Sequence, residues 1–115
     1  MILAVLDDLM FTSKIKTTAG QLGVAVTFAR SADAALAAMR QAAPSVVILD
    51  LNNARTDPLG IVASMKAEPE LASIPTVGYV SHVQTDVIIA ARQAGVGEVM
   101  ARSAFTQQLA EILKR

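Results

Sequence analysis

Val46-Val47-Ile48-Leu49-Asp50 is a run of four aliphatic residues, three of them β-branched, that stops on a carboxylate. With no polar alternation, such a run reads as a strand covered on both faces, the habit of a parallel sheet held between helix layers. In open α/β sheets the ligand crevice lies outside the carboxyl ends of the strands. Asp50 is therefore expected at the mouth of that crevice. The stretch Ile2-Leu3-Ala4-Val5-Leu6 runs into Asp7-Asp8 in the same way. Three carboxylates at one end of two buried strands make an oxygen-rich site, harder than a structural role needs.

Working outward, five apolar strand candidates alternate with helical stretches. After Ile2–Leu6, the spacing of Phe11, Ile15, Ala19 and Leu22 predicts a helix over Met10–Leu22, closed by Gly23. Val24–Phe28 is the second strand, and Ser31 is an N-cap candidate for a helix over Ala32–Gln41. Ser45–Leu49 is the third strand and Asn52–Asp57 a polar loop. Asp57-Pro58 reads as a helix start, with aspartate as N-cap and proline at the first helical position; Leu59, Val62 and Met65 mark its buried face. Thr76–Val80 is the fourth strand, Thr85 to Ala94 the fourth helix, and Glu98–Ala101 a short fifth strand. Ser103 is expected to cap a last helix carrying Phe105, Leu109 and Leu113. This alternation implies a parallel sheet with helices on both faces.

The 115 residues fit a single domain, 1–115, able to bury about two thirds of its unfolded surface. The absence of cysteine excludes a disulfide scaffold and any thiolate metal site. Ten basic residues balance ten acidic ones, and the aromatics are three phenylalanines and one tyrosine; the footprint of a nucleic-acid binder is missing. No apolar run approaches the roughly 20 residues of a membrane span, and no basic region opens the chain. The cytoplasm is the expected location. No output domain is expected beyond the last helix.

With the elements placed, Asp7 and Asp8 close the first strand, Asp50 the third, Ser81 the fourth, and Arg102 the fifth. This constellation resembles the receiver domain of two-component response regulators, and the resemblance covers the whole chain. It implies a flavodoxin-like (βα)5 fold, a three-layer sandwich with a five-stranded parallel sheet in the order 2-1-3-4-5. It further implies that Asp50 is the phosphoacceptor and that Mg²⁺ is the cofactor, held by Asp7, Asp8, Asp50 and the backbone carbonyl of Asn52. Ser81 and Arg102 would bind the phosphoryl group and act in switching, with His82 as a gate beside the acceptor. The implied partners are a sensor histidine kinase or phosphotransfer protein, and a downstream protein target met through the fourth helix, fifth strand and fifth helix. No direct contact with nucleic acid or membrane is implied, and the module is not a conventional enzyme. The physics agrees: a phosphoryl group among carboxylates calls for a hard divalent cation, and its transfer asks mainly for positioning and charge stabilisation.

The chain departs from the family at three points. Arg102 stands where lysine is usual, Ser103-Ala104 follows where the family has a proline, and Val99 falls where an aromatic usually reports the state of the site. An arginine fork does not fill a lysine's point-charge slot unchanged, and without proline the loop before the last helix is expected to be reshaped. Fixing Gly23 in the family's register would move the acidic pair to Leu6-Asp7; Asp7-Asp8 is preferred because it keeps Ile15 on the buried face. Plainer roles stand beside these. Asp8 can cap the first helix, Arg102 and Arg55 can be solvated charges, and Tyr79 can be core or half-exposed. The rival function is a pseudo-receiver, a protein-interaction module that works without phosphorylation. An FMN-binding flavodoxin is disfavoured, because Asp7-Asp8 would repel the phosphate.

Overall fold

The structure, a computed structural model, describes residues 1–81 and 84–115. Strands and helices alternate: β1 (Ile2–Val5), α1 (Leu9–Leu22), β2 (Val26–Ala29), α2 (Ala32–Gln41), β3 (Val46–Asp50), α3 (Pro58–Ala67), β4 (Thr76–Val80), α4 (Thr85–Ala94), β5 (Glu98–Ala101) and α5 (Arg102–Leu113). A 3-10 turn over Ala54–Thr56 links β3 to α3. The sheet is parallel in the order 2-1-3-4-5, as expected.

Successive strand residues point to opposite faces, and that alternation divides the core in two. Leu3, Val5, Val47, Leu49 and Val80 pack against α2, α3 and α4. Ile2, Ala4, Val46, Ile48, Val77 and Tyr79 face α1 and α5 through Phe11, Ile15, Phe105, Leu109 and Ile112. The central strands are buried on both sides, which explains their unbroken apolar runs.

Strands β1 and β3 and helix α1 differ from the sequence reading by a single residue at one or both ends, and two larger differences have a local reason. Strand β2 begins at Val26 rather than Val24, because Gly23, at φ 69°, closes α1 in the left-handed conformation and the Val24 N–H bonds back to the Ala19 carbonyl at 2.9 Å. Helix α5 begins at Arg102 with Ala101 as its cap residue, so Ser103 lies inside the first turn and does not cap it. Ala101 (φ −67°, ψ 150°) turns strand into helix in one residue, which leaves no loop for a cap. The proposed start of α3 is as read: Pro58 opens it and the Asp57 carboxylate accepts from the Gly60 N–H at 3.2 Å.

Candidate functional site

Strand β3 delivers Asp50 to the carboxyl edge of the sheet, in register with Tyr79 of β4. The next residue, Leu51, turns down over β4. A Cβ at Gly78 would lie 2.6 Å from Leu51 Cδ1, so only glycine admits that leucine. With Leu51 anchored, the Asn52 N–H points back and donates to Asp50 Oδ1 at 3.1 Å. The Asn52 side chain spans to the end of β4, where its Oδ1 accepts from the Ser81 N–H at 2.7 Å and the Ser81 hydroxyl at 3.2 Å. Its Nδ2 donates to Gln84 Oε1 at 3.4 Å. Asp50 is half-buried. Burial pushes its carboxyl above the ordinary value, Asp7 and Asp8 add to that, and the Asn52 N–H and Arg102 oppose it.

The two acids after β1 face different ways. Asp8 caps α1, its Oδ1 accepting from the Met10 and Phe11 N–H groups at 2.9 and 3.1 Å. Its Oδ2 accepts from Arg102 at 3.2 Å. The Phe11 N–H, together with Arg102 and the Met10 N–H, holds this carboxyl below its ordinary value against partial burial. Arg102 sits over the Phe11 ring, its Cζ 4.2 Å from the centroid, as a cation–π contact. Asp7 turns to the loop after β3. Asn53 Nδ2 donates to its Oδ1 at 2.6 Å, and Arg55 reaches its Oδ2 at 2.8 Å.

Asp7 and Asp50 thus line one open cleft of about 460 Å³, together with Asn52, Asn53, Ala54, Arg55 and Ser81. Asp8 and Arg102 sit beside it, joined to each other. Among the described residues no three acidic, histidine or cysteine side chains are gathered closely enough to hold a metal ion. The expected convergence of three acids is divided between a helix cap and a cleft. His82 lies outside the described residues.

Beneath the acids, Phe11, Tyr79 and Phe105 form a ring cluster with centroids 4.9 to 5.7 Å apart. Tyr79 is core, 1% exposed. Its hydroxyl has no hydrogen-bond partner among the described residues. Burial, with Asp50 next in weight, drives its ionisation far above the ordinary range.

The sequence reading missed three contributors. Arg55, taken for a solvated charge, pairs with Asp7; Asn53 holds the other oxygen of the same carboxylate; Phe11 is the platform for Arg102. The only local signal was Asn53 as an Asx cap, which its Oδ1 fulfils by accepting from the Arg55 N–H at 3.0 Å.

No protein-family model matches the chain, and no curated protein matches it significantly. Solved structures do. The chemotaxis protein CheY4 of Vibrio cholerae superposes with a TM-score of 0.84 at 19% identity, covering 99% of this chain and 95% of that one. This is the receiver fold. The receiver domain of NtrX from Brucella abortus gives 0.82 at 24% identity, with 100% and 96% covered. The Mn²⁺-bound form of response regulator Rcp1 gives 0.81 at 22%, with 96% and 89% covered. At the carboxyl edge of the receiver fold seen here stand Asp7, Asp8, Asp50, Ser81 and Arg102. No helix among the described residues is long and apolar enough to cross a membrane.

Proposed function

We propose that this chain is a two-component receiver that accepts a phosphoryl group on Asp50 and signals by protein–protein contact, without being a conventional enzyme. The observation that carries the reading is the placement of Asp50. It is a half-buried carboxylate at the edge of a receiver-fold sheet, opening into a cleft with the Asp7 carboxylate and the Ser81 hydroxyl. A carboxylate there is positioned as a nucleophile, and the Asn52 N–H fixes its orientation. The phosphodonor would be a sensor histidine kinase or phosphotransfer protein. The output would be a protein bound at α4, β5 and α5.

The donor set suits a hard divalent ion. Asp7, Asp50 and the Asn52 carbonyl would hold Mg²⁺, with Asp8 behind them. Bound there, the ion would offset the negative charge of the incoming phosphoryl group. This chain's own residues do the rest. The Asp50 carboxylate would attack the donor's phosphorus, forming an acyl phosphate as the P–N bond breaks and the histidine leaves. Ser81 would donate a hydrogen bond once released from Asn52, and the cationic side chains Arg55 and Arg102 lower the local negative potential.

The pseudo-receiver reading is favoured by one observation: Arg102 is committed to Asp8 and the Phe11 ring. Incubation with acetyl phosphate and Mg²⁺, followed by intact mass, separates the two. A one-phosphate gain that Asp50→Asn abolishes supports the receiver; no gain supports the scaffold.

A further inference from the structure

Each acid of the loop between β1 and α1 carries its own arginine. Asp8 has Arg102 at 3.2 Å and Asp7 has Arg55 at 2.8 Å. We propose that Arg55 is a tethered counter-cation that competes with a divalent metal ion for Asp7. Metal entry then requires displacing the guanidinium. This inference rests on the receiver reading for what the metal does.

The geometry separates an anchored backbone from an exposed side chain. The Arg55 N–H is held by Asn53 Oδ1 at 3.0 Å. The fully buried Thr56 donates its hydroxyl to the Asn53 carbonyl at 3.2 Å. The 3-10 turn ends at Asp57, at φ 49°, which caps α3 in turn. Among the described residues the guanidinium pairs only with Asp7. Its side chain is 82% exposed, against 22% for Asp7. It can leave without unfolding any element.

Both oxygens of Asp7 are already engaged, Oδ1 by a hydrogen bond from Asn53 and Oδ2 by the ion pair with Arg55. A metal that takes Oδ2 as a ligand must exchange with Arg55, because a guanidinium and a divalent cation repel at contact distance. Asp8 is no substitute, since the α1 amino terminus and Arg102 occupy it. An exposed ion pair is a weak competitor, so the metal is opposed and not excluded.

The test measures binding of metal alone, with Mn²⁺ followed by electron paramagnetic resonance and calorimetry. Arg55→Ala is expected to bind Mn²⁺ about two- to five-fold more tightly than the parent, the range that an exposed ion pair covers. Arg92→Ala, which removes an exposed arginine on α4, is expected to leave affinity unchanged. In the parent, the Arg55 Nε resonance should shift saturably with Mg²⁺, and the shift should vanish in Asp7→Asn. Equal or weaker binding by Arg55→Ala overturns the inference. So does an equal gain from Arg92→Ala, an unmoved Arg55 resonance, or no metal binding by either protein. The receiver reading is decided separately, by the one-phosphate mass gain at Asp50 measured on the same proteins.

Discussion

Substituting Asp8 removes two contacts at once, and the choice of replacement separates them. Alanine deletes the N-cap, which accepts from two backbone N–H groups, and the ion pair with Arg102. A lost aspartate cap costs about 1 kcal/mol, and an ion pair this exposed contributes about 0.5 kcal/mol. Asparagine caps helices as well as aspartate does, so it should lose only the ion pair. With a urea slope of about 2 kcal/mol/M, the midpoint should fall by about 0.75 M for Asp8→Ala and about 0.25 M for Asp8→Asn. The pH dependence gives a second reading. The folded protein holds this carboxyl below its ordinary value, so its stabilisation is complete above the ordinary carboxylate range. It is lost as pH falls through the depressed folded value. The deficit of Asp8→Asn should therefore shrink in acid. A double-mutant cycle with Arg102→Ala isolates the pair. If asparagine proves as costly as alanine, charge and not capping is what Asp8 supplies, and the reasoning fails.

Tyr79→Phe should stabilise the fold by about 1 kcal/mol, because it removes a buried hydroxyl that has no partner among the described residues while keeping the ring cluster. A thermal midpoint higher by about 3–6 °C would register this, and a lower one would show that the hydroxyl is satisfied. Asp50→Asn should be more stable than the parent at neutral pH, since burial raises the Asp50 carboxyl and folding disfavours its charged form. That advantage should fade as pH falls through the raised folded value towards the ordinary one; a constant gap across the urea titrations would contradict the assignment.

The strands were legible because the central ones are buried on both faces, which leaves unbroken aliphatic runs such as Val46–Leu49. The same property placed Asp50 and Ser81, since a strand that ends at a sheet edge carries its next residue to that edge. Ends set by backbone geometry were less legible. Gly23 closes α1 by consuming Val24, and Ala101 turns strand into helix with no capping side chain. The partition of the acids was hidden for a different reason. That Asp7 faces Arg55, and Asp8 faces Arg102, depends on a 3-10 turn and a cation–π platform built by residues far apart in the chain. Charge counting sees three acids together; only the placement of their partners separates them.

The stacking of Arg102 on Phe11 has a consequence for how this site can change over generations. A guanidinium set over a ring while bonding a helix-capping carboxylate serves two neighbours through one group. Lysine offers a point charge without the guanidinium's plane. Exchange to lysine alone would give up the guanidinium's contact with the ring and loosen Asp8 before gaining anything at the cleft. Positions 11 and 102 are therefore coupled: a lysine at 102 is tolerated well only if position 11 changes with it.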